Sequence, residues 1–145
     1  MNAPLYNSGI LRLAASIPHH RRLSDPQASV EKRSPTCGSR VIADVCVDAE
    51  DRLADLGLEV RACALGQASA SLMASHALGK TAGELAVARD RLAAWLAGQG
   101  DVPDFWPGFE IIAPARAYPA RHASIRLGFE AVAEAAAIAV ERRNS

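Results

Sequence analysis

Cysteine is scarce in this chain, with three in 145 residues, Cys37, Cys46 and Cys63. An odd count in a chain long enough to close its own core argues against a disulfide framework and leaves free thiols or metal ligands. A surplus of either charge is missing, since 16 basic residues cancel 16 acidic ones. Non-specific nucleic-acid binding needs excess cations to displace counterions from phosphate, so that class is excluded except through a small local patch. A long apolar run is missing as well. The longest spans residues 131–140, is broken by Glu134, and falls short of the roughly 20 residues that cross a bilayer. Residues 1–17 lack a basic start, a continuous apolar core and a small-residue cleavage site, so a cytoplasmic protein is expected. No glycine-rich phosphate loop, paired-carboxylate signature or Ser/His/Asp arrangement is present, and nothing argues for a hydrolase or a nucleotide-binding enzyme.

Half of the residues are hydrophobic and 22% are charged, which is the balance of a folded chain rather than a disordered one. At this length about 68–70% of the unfolded surface is buried on folding. The chain reads as one domain, 1–145, in three parts: an N-terminal helix and connector (about 1–26), a sheet (about 27–62) and a helical part (about 63–145). Residues 5–16 space Leu5, Ile10, Leu11 and Leu13 near a helical period before Pro18. Residues 18–26 have the composition of a connector. Val41, Ala43, Val45 and Val47 alternate with Ile42, Asp44, Cys46 and Asp48, as in a half-buried strand. Residues 53–62 form its antiparallel partner, with Gly57 as a bulge, and residues 28–33 add a third strand.

From residue 64 to 78 small side chains occupy every face, which suits a helix packed closely on several sides. Thr81 and Glu84 form a capping-box pattern ahead of a helix that runs to Leu96, before Gly98. Residues 99–118 read as a loop anchored by Phe105, Trp106 and Phe109, with one short turn of helix. A last helix starts near Pro119 and places Arg142 and Arg143 at the negative end of its dipole.

Cys37 sits between Pro35 and Gly38 in a tight loop before a strand, where a thiol is presented outward. Cys63 lies at a strand-to-helix junction, where the positive end of a helix attracts negative charge. For both, a role as a small buried hydrophobe is the alternative. Cys46, mid-strand, is better explained by packing. His122 is weighed as a ligand against an exposed helix-start histidine, and His76, 13 residues past Cys63, is too far along its helix to join it. The run His19, His20, Arg21, Arg22 is read as a solvated loop, with a cationic patch for an acidic partner as the alternative.

Three segments carry a family resemblance. Ser34-Pro35-Thr36-Cys37-Gly38-Ser39-Arg40 resembles the first cysteine loop of the U-type iron–sulfur cluster assembly scaffolds, the IscU, SufU and NifU N-terminal family. The segment opening Cys63-Ala64-Leu65-Gly66-Gln67-Ala68 resembles its second cysteine and small, serine-rich helix, and Pro119-Ala120-Arg121-His122-Ala123-Ser124 resembles the segment that opens its last helix. Leu5-Tyr6 is similar to its N-terminal start, and the long interval after Cys63 is most like the SufU branch.

The resemblance implies an α+β fold, a small three-stranded antiparallel sheet with helices mainly on one face, which strands followed by helices also suggest. It implies a non-enzymatic scaffold or sulfur acceptor that works with a cysteine desulfurase and other assembly factors, and that binds iron, an iron–sulfur cluster or zinc. The family's site has a cysteine, an acidic residue two positions on, a second cysteine and a third in the last helix. Ser39 stands in place of the acidic residue and Ser124 in place of the third cysteine. Cys37 and Cys63 are therefore the expected ligands and sulfur acceptors, with Ser39, His122 and Ser124 as weaker candidates. Arg121 is a nearby positive charge. Two chains, each giving two thiolates, would supply the four that a [2Fe–2S] centre takes, so a homodimer is one expectation. The alternative is a metal-free module of the same fold that binds or regulates a desulfurase.

Overall fold

The computed structural model describes residues 7–35 and 38–145. Its elements run α1 (Ser8–Ala15), β1 (Ala28–Arg33), β2 (Arg40–Val47), β3 (Leu53–Arg61), α2 (Ala64–His76), α3 (Ala82–Leu96) and α4 (His122–Asn144). The alternating apolar positions of β2 make it the central strand of a sheet ordered β1-β2-β3, antiparallel throughout. Val41, Ala43 and Val45 are buried with Leu56, Leu58 and Val60 of β3 on the inner face, where α4 packs. Helices α2 and α3 flank α4, and α1 packs on α2. Among the described residues no helix is long and apolar enough to cross a membrane.

Helix α1 is shorter than the sequence suggests, because the Asn7 side chain accepts from Ile10 N and caps it there. Small side chains do bury α2 on nearly every side, including Ala68, Ser69, Ala70 and Ser71. Thr81 and Glu84 form the expected capping box of α3. Phe105, Trp106 and Phe109 do pin the long loop, with Trp106 Nε1 donating to the Leu72 carbonyl at 2.7 Å. That loop contains two short 3₁₀ segments, Phe109–Ile111 and Ala113–Ala117, rather than one turn, and a third, Pro119–Arg121, delays α4 until His122.

Gly57 is not a bulge. The register shift falls at Cys46 and Val47, and Gly57 is where the connector crosses the outer face of the sheet. A Cβ there would lie 2.5 Å from the Arg21 carbonyl oxygen. The connector also accepts from Leu58 N through the His19 and Arg21 carbonyls and from Val60 N through His20 Nε2. Cys46 is half-buried on this outer face, its Sγ 3.8 Å from the Asp25 carbonyl oxygen, so it packs against the connector rather than in the core.

Asp44 anchors the connector. Its fully buried carboxylate accepts from Arg22 Nε at 2.7 Å, Arg22 Nη2 at 3.1 Å and Leu23 N at 2.9 Å, and from the Ser29 hydroxyl. Burial pushes this carboxyl up, but the hydrogen bonds from Arg22, Ser29 and Leu23 outweigh it and hold it below its ordinary value. A carboxyl depressed in the folded state stabilises fully above the ordinary carboxylate range, and its contribution is lost as pH falls through the folded-state value. Asp44→Asn removes the ion pair and one acceptor oxygen with two of these four bonds, and is expected to cost about 1–3 kcal/mol in urea unfolding at neutral pH. The deficit relative to wild type should shrink in acid.

Candidate functional site

Three side chains far apart in sequence meet where β2 begins, α2 begins and α4 begins. Ser39 ends the 34–39 loop, which is closed by a hydrogen bond from Ser34 N to the Ser39 carbonyl at 2.9 Å. Cys63 is the N-cap residue of α2, with extended backbone and no side-chain capping bond, so its sulfur is available to the site. Ser124 stands in the first turn of α4. The Ser39 and Ser124 hydroxyl oxygens are 3.0 Å apart and both residues are buried, while Ser124 Oγ lies 3.4 Å from the sulfur of half-buried Cys63. Thr36 and Cys37 lie outside the described residues, so the candidate Cys37 is not placed.

Close packing of α2 on α4 brings Ser124 to Cys63. Ser69 Oγ donates to the Ile125 carbonyl at 2.6 Å. A Cβ on Gly66 would fall 2.4 Å from Ser124 Oγ and 2.8 Å from Ala62 Cβ. In an ordinary helix Gly→Ala stabilises by about 0.5–1 kcal/mol. At Gly66 the clash reverses the sign, and Gly66→Ala is expected to destabilise by about 1–3 kcal/mol in chemical denaturation and to push Ser124 away from Cys63.

The histidine candidates stand apart from this cluster. His122 Nε2 is 2.9 Å from the Arg116 carbonyl oxygen, and two helical positions separate it from Ser124 by about 200 degrees. His76 is exposed, edge-on to Trp106 at 6.3 Å between ring centroids. Arg121, three residues before Ser124, is half-buried and makes no ion pair among the described residues.

A hydroxyl has one proton to give. When Cys63 is a thiolate it can only accept, so Ser124 must point its proton at the sulfur and take the Ser39 proton in turn. The hydroxyl chain then runs toward Cys63. Two ligands on one tetrahedral zinc, with bonds of about 2.0–2.3 Å, lie about 3.3–3.8 Å apart, so the spacing is close to that of a metal corner. The chemistry of the described residues is not, because the one thiol and two neutral hydroxyls among them do not fit a resident zinc ion. Among the described residues no three His, Cys, Asp or Glu side chains converge. Sequence reasoning overlooked Gly66, whose signal was a glycine three residues into a helix behind a cysteine.

Residues 5–106 match the family described as NifU-like N terminal domain. The chain belongs to this family. NifU-like N-terminal domains include U-type scaffolds of iron–sulfur cluster assembly, and the chain is 29% identical over 119 residues to the iron-sulfur cluster assembly scaffold protein IscU of Streptococcus pyogenes serotype M1, spanning 81% of this chain and 74% of that protein. The crystal structure of a nitrogen-fixing NifU-like protein (N-terminal) from Brucella abortus superposes with a TM-score of 0.87 at 38% identity, covering 94% of this chain and 95% of that one. A putative iron-sulfur cluster assembly scaffold protein for the SUF system from Fervidobacterium islandicum AW-1 superposes with a TM-score of 0.83 at 20% identity, covering 91% and 96%, which speaks for the fold alone. The α+β arrangement expected from the sequence is the arrangement of these NifU-like and SUF-system relatives.

Proposed function

We propose that the chain acts in iron–sulfur cluster assembly as a scaffold-like, sulfur-accepting protein of the cytoplasm, in which Cys63 and Cys37 carry the thiols and a cysteine desulfurase supplies the sulfur. The observation that supports this reading is the convergence of Cys63 on Ser39 and Ser124, which places a half-buried sulfur beside neutral hydroxyls among the described residues. The name of the Streptococcus pyogenes relative, an assembly scaffold, supports the process. The interval between Cys63 and the α4 segment favours the SufU-like branch.

In the sulfur step the Cys63 thiolate attacks the outer sulfur of a donor protein's cysteine persulfide. The donor's S–S bond breaks, its cysteine leaves as thiolate, and Cys63 carries the persulfide with no net oxidation. Ser124 hydrogen-bonds the Cys63 sulfur and so stabilises it as the leaving thiolate when the sulfur moves on. Iron or a cluster would be cargo, and two chains giving Cys37 and Cys63 each would supply four thiolates.

Elemental analysis of protein purified without oxygen or chelator tests the reading. Zinc well below one atom per chain is expected, with iron appearing only alongside matching sulfide. One zinc per chain would mean that other residues complete a resident metal site and would overturn the open-thiol reading.

A further inference from the structure

The three strands end at the site with one arginine each, in register: Arg33 pairs with Arg40, and Arg40 with Arg61. Their neighbours Val41 and Val60 are buried on the inner face and Lys32 reaches Glu134 of α4, so all three arginines belong to the outer face. Like charges directly across a sheet repel, and the row is only partly compensated. Glu31 lies 2.5 Å from Arg33 and 3.8 Å from Arg40, and Glu59 lies 2.7 Å from Arg40. Arg33 keeps 67% of its side chain exposed, and exposed Arg61 forms no ion pair among the described residues. Arg22 adds a further guanidinium to this face above buried Asp44. Toward the other end of the face the charge changes sign, with Asp55 opposite Cys46. A chain of zero net charge thus gathers positive charge at one end of one face, the end that holds Ser39 and Cys63.

We propose that the Arg33, Arg40, Arg61 row is a docking surface for an acidic patch on the protein that delivers sulfur to Cys63. The proposal rests on the sulfur-accepting reading above. Arg40 directly follows Ser39 and Arg61 precedes Cys63 by two residues, so a protein whose persulfide reaches Cys63 must lie against this rim. The interleaved Glu31 and Glu59 favour discrete carboxylates over a continuous phosphate backbone, which needs an unbroken cationic surplus.

The test is sulfur loading of the full chain by its cysteine desulfurase, compared between wild type and the double variant Arg33→Glu with Arg61→Glu. Both replacements lie on the exposed outer face and set an opposite charge across from Arg40, at the loss of the Arg33–Glu31 ion pair; circular dichroism checks that the variants fold, and Arg33→Gln with Arg61→Gln serves as a milder control. Each is also loaded from a small-molecule persulfide. At low salt the charge reversal is expected to lower kcat/KM with the desulfurase about tenfold, the glutamine pair less, and the gap should narrow at about 0.5 M salt. Loading from the small persulfide should be unchanged. Normal desulfurase loading of the charge-reversed variant would overturn the docking proposal alone. Failure of wild-type Cys63 to load from either donor would overturn the sulfur-accepting reading and this proposal with it. Duplex DNA binding that disappears in the same variant, with desulfurase loading intact, would reassign the row and also overturn it.

Discussion

Replacing Ser124 with cysteine and Ser39 with aspartate in the same chain is expected to raise zinc content from well below one atom per chain to about one, with affinity at least about a hundredfold higher. Both serines already stand at the corners of the site, 3.0 Å from each other, with Ser124 3.4 Å from Cys63. What they lack is charge, since a thiolate and a carboxylate are strong zinc donors and a neutral hydroxyl is not. The two new side chains, Cys63 and Cys37 would together provide four ligands. Gly66 provides the room at Ser124, because its missing Cβ would otherwise occupy that volume. The single variants should fall between, with Ser124→Cys the stronger because it adds a thiolate beside Cys63. Titration against a chelating indicator measures this. A double variant that folds yet stays metal-free would mean that these residues are not the corners of one site.

Cys63→Ala is expected to abolish sulfur loading on the second cysteine of the site, while Cys46→Ala leaves loading unchanged. Cys63 is half-buried at a helix start and carries no capping bond, so losing its sulfur should cost under about 1 kcal/mol of stability and cannot act through unfolding. Cys46 lies near the far end of β2, on the outer face against the connector, and not among the side chains that converge where β2 begins. Radiolabelled cysteine with a desulfurase, followed by non-reducing electrophoresis, separates the two. Cys37→Ser then divides the accepting role from a pure binding module: lost or reduced sulfur transfer supports acceptance, whereas unchanged action on the desulfurase would support the module.

Much of the fold was legible because it is written in local periodicity. The alternation of Val41, Ala43, Val45 and Val47 and the Thr81–Glu84 capping box need no partner to be recognised. Gly57 was misread because its requirement is non-local: the strand is regular there, and it is the connector's approach that excludes a side chain. Asp44 falls on the outward parity of β2, and only the folded connector buries it. In the site, the helical rotation between His122 and Ser124 is a local feature readable from their spacing, and in the structure His122 Nε2 lies by the Arg116 carbonyl oxygen while Ser124 Oγ lies by Cys63. The meeting of Ser124 with Cys63 was available only through the family resemblance, since 61 residues divide them and the contact depends on how α2 lies on α4. The arginine row was hidden for a related reason. Arg33 and Arg40 flank the 34–39 loop in plain view, but their pairing with Arg61 appears only once strand register is known.

The central claim is that Cys63 receives sulfur, and peptide-level mass spectrometry after turnover with a cysteine desulfurase and free cysteine tests it most directly. The account predicts one additional sulfur atom on the peptide containing Cys63, removable by reductant, and none on the peptide containing Cys46. An unmodified Cys63 under conditions in which the desulfurase releases sulfur to a small thiol would contradict it.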